Sequence, residues 1–293
     1  MDNKFIIIAI FIILVITYIG YLNYGVGTTI TSYNIRTGSM NNPEKTFSLT
    51  NNSRVPGTIK IMTYNIRYGK GLDDNLNLDR IIEIINNSNA QIIALNEVEK
   101  KMPRSQFQNQ VEIIAERLDM NYIFGPNIQT GIGGYGNVIL TDFPIKKAKN
   151  HLLPYKNIGS EPRGLLEGII KLPNNEKIHV FNTHLSLNIE ERQQQLSWIE
   201  TYLENLELPF ILMGDFNEEL NSIAGLKPLV NTKTFPADNP NYGIDLIFSN
   251  HNNLKTVESY EINTQASDHL PVFLKLEFNN HHRELLGSSY NNS

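Results

Sequence analysis

The sequence predicts a protein of the α+β class in which two packed sheets carry helices on their outer faces. Three observations lead to this prediction. Apolar and β-branched runs alternate with amphipathic stretches between residues 58 and 278. The strand-like runs are many and the amphipathic stretches are few. Two of the runs follow one another across Asn174-Asn175, which is typical of an antiparallel hairpin.

Fourteen segments are predicted to be regular. Helical spacing of apolar residues predicts helices over 77–87, 108–118 and 190–206, and Asn77 suits the N-cap of the first helix. Short apolar runs predict strands over 59–66, 91–96, 122–124, 137–141, 145–153, 165–172, 177–185, 210–213, 243–248, 256–262 and 269–278. The ordered domain is therefore expected to span 58–278.

The N-terminal residues 1–22 are predicted to be a membrane anchor. Residues 5–22 read FIIIAIFIILVITYIGYL, without a charge, and as a helix they would span roughly 27 Å. The alternative is a cleaved signal peptide, but its apolar region is usually shorter and ends at small residues. Residues 23–57 are rich in Asn, Thr, Ser and Gly and are expected to be a flexible linker. A polar tail is expected over 279–293.

Composition limits the chemistry that the chain can carry. It contains no cysteine, so disulfides and thiolate catalysis are excluded. Any metal must be held by carboxylate, amide or imidazole groups, which favours hard cations such as Mg²⁺, Mn²⁺ or Ca²⁺. The formal net charge of -5 gives no overall basic signature for nucleic acid. A nuclease is not excluded, because a metal and a few local cations can meet the phosphates.

Polar side chains cluster where predicted strands end. Asp215 and Asn217 follow the apolar run 210–213 across Gly214, which allows a sharp turn. Similar positions are held by Asn65, Glu97, His184, Asp245 and the pair Asp268-His269. Each one alone has an ordinary interpretation as a solvated strand end, a turn cap or a core histidine. Together they are harder to explain structurally, since a carboxylate inside an apolar strand needs a partner.

Seven short motifs carry a resemblance to the endonuclease/exonuclease/phosphatase superfamily. They occur in the order of that family: TYNIR at 63–67, LNEV at 95–98, EPRGLL at 161–166, NTHL at 182–185, GDFN at 214–217, GIDLIF at 243–248 and SDHLPV at 267–272. The resemblance covers roughly residues 58–278. It implies a four-layer α/β/β/α sandwich (DNase I-like) with two packed mixed sheets, here preceded by one N-terminal transmembrane helix.

The resemblance also implies roles for single residues. Glu97 would be the main magnesium ligand, with Asn65 beside it and Asp268 near the metal or a second metal. The family more often has Gln where Asn96 stands. Asp215 and Asn217 would orient the attacking water and the phosphate. His269 would be the general base or a phosphate binder, with its imidazole oriented by Asp245.

Three further residues are expected at the phosphate. His184 would contact it or assist the leaving group. Arg163 resembles a family position that grips phosphate, and its planar fork suits two oxygens. Asn137 would add another contact. For Arg163 a solvated surface position, and for Asn137 an ordinary turn, are the competing interpretations.

The expected activity is metal-dependent hydrolysis of a phosphoester by water, with magnesium as the cofactor. The substrate would be a nucleic acid or a phospholipid headgroup, so a nuclease and a lipid phosphoesterase of the sphingomyelinase or phosphoinositide-phosphatase kind are rival hypotheses. A catalytically silent binding protein of the same fold is the third. The enzyme is expected to be a monomer, anchored in a membrane with its catalytic domain outside the cytoplasm, or secreted after signal cleavage.

Overall fold

The computed structural model describes residues 34–36, 57–155 and 159–278, and only the backbone of 34–36. The predicted anchor, most of the predicted linker and the tail 279–293 lie outside the described residues. Among the helices that are described, none has the length and apolar character needed to cross a membrane.

Twelve strands form two mixed sheets in the described chain. The seven-stranded sheet has the order β1, β4, β5, β3, β2, β12, β11. Its strands are β1 (Asn34–Arg36), β2 (Thr58–Asn65), β3 (Ile92–Lys100), β4 (Asn121–Thr130), β5 (Gly133–Thr141), β11 (Leu254–Glu261) and β12 (Val272–Phe278). Only β2 and β3 are parallel neighbours in this sheet.

The five-stranded sheet has the order β10, β9, β8, β7, β6. Its strands are β6 (Ile145–Leu152), β7 (Gly164–Lys171), β8 (Lys177–His184), β9 (Phe210–Asp215) and β10 (Asp245–Ser249). The predicted hairpin is formed by β7 and β8. Strands β8 and β9 are parallel, so their carboxyl ends lie at the same edge.

Three helices cover the outer faces of the sheets: α1 (Leu78–Ser88), α2 (Gln110–Leu118) and α3 (Ile189–Glu204). Asn77 caps α1 as predicted, because its side chain accepts a hydrogen bond from the Asp79 amide. The apolar faces of α1 and α2, including Ile81 and Ile114, pack on one face of the seven-stranded sheet. Ile199 and Leu203 of α3 pack on the outer face of the five-stranded sheet.

A third apolar cluster fills the space between the sheets. Strand β2 shows why, since side chains alternate along a strand. Ile59 and Ile61 join Ile178 and Ile211 of the other sheet in the inner cluster, whereas Met62 and Tyr64 lie in the cluster under α1 and α2. The order of layers is helices, sheet, sheet, helix, so the expectation of two packed mixed sheets with helices outside is confirmed.

Two sequence-based expectations need correction. The last strand begins at Val272, not at residue 269, so Asp268 and His269 lie in the preceding loop. Pro271 has no amide hydrogen for the ladder, which fits a strand that starts after it. Secondly, residues 34–36 inside the predicted linker form strand β1, which pairs antiparallel with β4.

Candidate active site

Strand register brings the predicted catalytic residues of the five-stranded sheet together. His184 at the end of β8 is the direct partner of Asp215 at the end of β9. Asp215 is in turn the partner of Asp245, which begins β10. Three residues that are far apart in sequence thus lie side by side at one edge of the sheet. The carboxyl ends of β2 and β3 in the other sheet lie at the same edge, since Asn65 contacts Asp215. We call the edge formed by the carboxyl ends of β2, β3, β8 and β9 the site edge.

Gly214 allows β9 to lie close to Thr183 of β8. Its φ is +140°, and a Cβ there would lie 1.9 Å from the carbonyl oxygen of Thr183. No other residue could be accommodated without moving β8. Beyond it, Asn217 has a left-handed φ of 51°. Its amide donates to Asp215 Oδ1 over 2.9 Å and its Nδ2 donates to the Leu185 carbonyl, so the turn fixes the Asp215 carboxylate.

Glu97 is presented by a bulge in β3. The register with β5 shifts between Leu95 and Val98, and Glu97 has a φ of 59°. A non-glycine residue in this region of φ is strained and occurs where the surrounding structure holds it. The bulge turns Glu97 toward Asn65, whose Nδ2 lies 3.3 Å from Glu97 Oε1.

His269 lies between two carboxylates. Its Nδ1 is 2.8 Å from Asp245 Oδ2, and its Nε2 is 3.6 Å from Asp215 Oδ2. Burial alone would lower the pKa of His269, but Asp245 and Asp215 outweigh it and raise the pKa to about 10. The imidazole is therefore protonated at neutral pH in the cation-free site. Of the two roles expected for His269, this state suits the phosphate binder rather than the general base.

His184 is the opposite case. It is buried, its Nε2 lies 3.5 Å from Asp215 Oδ2 and its pKa is held well below the usual range. Burial is the main cause, and the positive charges of Arg163 and His269 add to it. His184 is therefore a neutral imidazole. Burial raises the pKa of Asp215 to about 6, against the opposing effect of His269, so its carboxylate has a proton affinity close to neutral pH.

Asn65 joins the two sheets through hydrogen bonds of its side-chain amide. Its Nδ2 donates to Asp215 Oδ2 over 3.0 Å and points at Glu97, whereas its Oδ1 accepts from the Arg67 amide over 3.1 Å. Because a backbone amide can only donate, this contact fixes the orientation of the side chain. Asn65 thus bridges two carboxylates through its Nδ2. Its Oδ1 keeps a second lone pair, so the metal-ligand role expected from the sequence stays a prediction.

Asp268 is partly exposed, with 31% of its side chain accessible, whereas Asp215 and Asp245 are buried. Its Oδ2 lies 3.4 Å from Arg67 Nε. Burial raises the pKa of Glu97, Asn65 opposes this, and the negative charges of Asp268 and Asp215 raise it further. These carboxylates are thus close enough to repel one another.

Arg163 is buried with donors to spare. It is 4% exposed, and its Nε and Nη1 have no hydrogen-bond partner in the described chain. Nη1 lies 3.0 Å from Glu161 Oε1, but the pair is not aligned as a hydrogen bond. A buried guanidinium with unused donors is costly unless something else binds it. Arg163 is also close enough to His184 for its positive charge to lower the pKa of that histidine.

Asn137, which the resemblance places at the phosphate, is buried between the sheets. It is 1% exposed, its Nδ2 donates to the Gly164 carbonyl and its Oδ1 accepts from Asn96. One N–H of Nδ2 and one lone pair of Oδ1 are used in the interior, and the expected phosphate contact stays a prediction. Asn137 belongs instead to an amide network between the sheets.

The centre of that network is Asn96. In the sequence this residue stands out only as a departure from the family pattern. Its Nδ2 contacts the side-chain oxygens of Asn137 and Asn182 at 2.9 Å, and its Oδ1 accepts from the Asp215 amide at 3.1 Å. Asn182 continues the network by donating to the carbonyls of Leu95 and Val138. Asn96 therefore holds β3 against β9 beneath the site.

A second group that the sequence did not reveal stands beside Glu97. The guanidinium of Arg104 lies over the rings of Tyr68 and Tyr135, at 4.3 Å and 4.9 Å from their centroids. Arg104 also pairs with the buried Glu99. Tyr135 is buried, and its pKa is raised by burial and then by Glu97 and Glu161. Arg104, Tyr68 and Tyr135 thus pack together on the side of the site where Glu97 lies.

The acidic group fits a hard divalent cation. Four carboxylates, those of Glu97, Asp215, Asp245 and Asp268, surround one protonated histidine, so negative charge is in excess and a cation would offset it. Among the described residues, one group of three has ligand atoms within 4.8 Å of one another: Asp215, Asp245 and His269. In this group His269 Nδ1 is already paired with Asp245, and Glu97 and Asp268 are the more accessible carboxylates nearby.

Two stacked mixed sheets with this cluster at one edge define the DNase I-like class of fold. The chain belongs to the endonuclease/exonuclease/phosphatase family, whose model matches residues 62–269. Members of this family are hydrolases that act on phosphoesters and generally depend on divalent metals.

Similar proteins include the uncharacterized protein YbhP of Escherichia coli, 26% identical over 241 residues, which are 73% of this chain and 94% of YbhP. Among solved structures, the mannosyl-6-phosphatase Bt3783 of Bacteroides thetaiotaomicron has a TM-score of 0.60 and 18% identity, covering 75% of this chain and all of that one. TDP2 of D. rerio, complexed with a single-strand DNA product, has a TM-score of 0.58 and 15% identity, covering 75% and 99%. At these identities the structures establish the fold alone.

Proposed function

We propose that this protein is a divalent-metal-dependent phosphodiesterase in which water attacks phosphorus, most simply of the nuclease kind. The observation that carries the proposal is that His269 lies between Asp245 and Asp215, with contacts of 2.8 Å and 3.6 Å. Glu97 lies near these three residues. A binding protein has no need of a charged histidine held between two buried carboxylates. Keeping such charges buried is costly, so their retention indicates chemistry.

The residues divide the reaction among them. Asp215 takes a proton from the attacking water as the water oxygen bonds to phosphorus and the bond to the leaving oxygen breaks. The His269 imidazolium and the unused Nε and Nη1 of Arg163 donate to phosphate oxygens, whose negative charge grows in the transition state. Asn217 orients Asp215. His184, a neutral imidazole, gives a hydrogen bond to the phosphate or to the leaving oxygen.

Glu97 and Asp268 would hold the cation. When bound, a divalent cation supplies neutralisation of the phosphate oxygens and stabilises charge on the leaving oxygen. The magnesium expected from the sequence suits a site made of carboxylates, as do manganese and calcium.

The proposal includes a membrane location, with residues 5–22 as an uncleaved anchor and the catalytic domain outside the cytoplasm. It is supported by the uncharged apolar run in the sequence and by the absence of cysteine. Secretion after cleavage is the alternative. Carbonate extraction of membranes distinguishes them: an anchored chain stays in the pellet, whereas a cleaved chain is released.

Turnover by the full-length protein tests the activity. The panel holds plasmid DNA, single-stranded RNA, sphingomyelin, a phosphoinositide and mannose 6-phosphate, each with magnesium and again with EDTA. We expect turnover of one polymer that EDTA abolishes. Turnover of a lipid instead would establish the rival lipid phosphoesterase.

The control is the variant Glu97→Gln, which should be inactive on whichever substrate responds. Turnover of none of the five, together with no heat of magnesium binding that depends on Glu97, would establish the silent binding protein. Turnover that EDTA leaves unchanged would contradict the cation assignment.

A further inference from the structure

Exposed apolar side chains are distributed unevenly between the two edges of the sandwich. In the part of the chain that is described, eight large apolar side chains are well exposed, and six of them lie on the strand ends and turns of the site edge. They are Phe107, Ile132, Leu152, Leu187, Ile189 and Tyr242, with exposures of 64%, 78%, 49%, 76%, 55% and 55%. We call this set the apolar rim. The other two, Val257 and Tyr260, lie on the edge strand β11.

The turns at the opposite edge, such as 142–144, 172–176 and 205–209, carry none of the eight. Single exposed apolar residues are normal on a soluble surface, but a group of them around one site marks a surface that contacts something apolar. The rim residues come from five separate connections, so one local feature of the sequence does not explain them.

Rim residues stand close to the catalytic groups along the chain. Leu187 follows His184 by three residues, and Tyr242 precedes Asp245 by three. Ile132 is in the turn between β4 and β5, and Phe107 is held against Met102 by a backbone hydrogen bond of 2.9 Å. Both of these turns lie at the carboxyl end of β3, beyond Glu97. A partner that covers the rim would therefore also cover the site.

The direction of β1 indicates what that partner is. Strand β4 runs toward the site edge, and β1 pairs with it antiparallel, Asn34 opposite Phe124 and Arg36 opposite Tyr122. The chain therefore enters β1 from the site edge. The 11 residues from Asn23 to Tyr33 separate this point from the uncharged run 5–22 and could reach at most about 40 Å. An anchor formed by that run would keep the start of β1 within about 40 Å of the bilayer.

From these observations we infer that the apolar rim docks on a phospholipid bilayer, so that the active site opens at the membrane surface. Phe107, Ile132 and Leu187 would enter the region between headgroups and acyl chains, where apolar side chains on turns bind favourably. The consequence for the reaction, that the phosphoester substrate is reached at the membrane surface, rests on the proposed function. The docking itself does not, because it requires no turnover.

Site-directed fluorescence tests the docking, and a chain without cysteine is well suited to it. Single cysteines replace Phe107, Ile132 or Leu187 in the full-length protein carrying Glu97→Gln, and each is labelled with the environment-sensitive dye NBD. The labelled proteins are reconstituted into phosphatidylcholine vesicles. We expect a blue shift of NBD emission at all three positions, and quenching by spin-labelled lipid.

Two control positions make the test specific. Val257→Cys is an exposed apolar position on β11, and Asn174→Cys lies in a turn at the opposite edge. Neither label should shift. Rim labels that stay in water while the protein floats with the vesicles would overturn the docking and leave only an anchor. Rim labels that shift without vesicles, in a dimer, would replace the bilayer by a second copy of the chain. Failure of the protein to float would overturn docking and anchoring together.

Discussion

Two of the histidine–carboxylate clusters in the described chain lie on opposite sides of the five-stranded sheet. In the site, two aspartates flank one protonated histidine, His269. Under α3, the ratio is reversed, since one carboxylate, Glu167, lies between two histidines. Glu167 Oε1 is 2.6 Å from His179 Nδ1, and its Oε2 is 2.6 Å from His151 Nε2.

The difference lies in what is left unused. Both oxygens of Glu167 are occupied, and Tyr202 adds a hydrogen bond of 3.0 Å to Oε2. In the site, Asp245 Oδ1 is buried without a hydrogen-bond partner in the described chain, as are two nitrogens of Arg163. A satisfied cluster stabilises a fold, whereas a cluster with spare donors and acceptors can bind something else. The same residue types thus have different functions in the two places.

The largest effect is expected when a glutamate is replaced by glutamine, once beside the site cluster at Glu97 and once in the cluster under α3 at Glu167. Glu97→Gln should lower turnover by about 10³-fold or more, because the cation loses its main carboxylate. Glu167→Gln should leave turnover within about twofold, but should lower the free energy of unfolding by about 2 kcal/mol, since charge-assisted hydrogen bonds are lost. Turnover with magnesium and urea unfolding measure the two effects. Equal loss of turnover in both variants would contradict the division into a working and a structural cluster.

The next effect concerns the charge of His269. Asp245→Asn removes the carboxylate that contacts Nδ1, so His269 loses its orientation and much of the cause of its raised pKa. We expect turnover to fall by about 10²–10⁴-fold. Titration of the His269 ring by NMR in the cation-free protein should show its pKa falling in the variant. An unchanged histidine pKa would mean that Asp245 does not hold the charge.

The sequence predicted the strand-end residues of the site because each has a local signal. A run of apolar residues followed by a polar one, as at Met213, Gly214 and Asp215, can be recognised without knowing the sheet order. The family motifs then added roles. The N-cap at Asn77 and the hairpin at Asn174-Asn175 were predictable for the same reason.

What could not be predicted depends on register between distant strands. Asn96 and Asn137 meet only because β3 pairs with β5, and neither motif shows which way an amide will point. The Glu97 bulge, likewise, is visible only as a shift in pairing. His151, Glu167 and His179 come from β6, β7 and β8, in which each strand runs antiparallel to the next. Their spacings of 16 and 12 residues therefore carry no periodic signal.

A smaller effect is expected on the pH dependence of the free energy of unfolding, through the cluster under α3. Burial alone would raise the pKa of Glu167, but hydrogen bonds from His151, His179 and Tyr202 lower it from 4.5 to about 2. Ionised Glu167 therefore stabilises the fold above about pH 4.5, and this contribution disappears as the pH falls toward about 2. The advantage of the native protein over Glu167→Gln, about 2 kcal/mol at pH 7, should fall by roughly half at pH 3. Urea unfolding of both proteins at the two pH values measures it; a constant difference would show that Glu167 is not ionised.

The smallest effect should come from the unused donors of Arg163. Arg163→Lys keeps the charge but replaces the planar fork by a single ammonium, which cannot donate to two phosphate oxygens from Nε and Nη1. We expect KM for the phosphoester to rise about tenfold, with kcat lowered less. Lys147, on the exposed edge strand β6, is a suitable control, because Lys147→Arg should change neither constant. If Arg163→Lys instead lowered stability without changing KM, the guanidinium would be a structural group and the phosphate would be held by His184 and His269 alone.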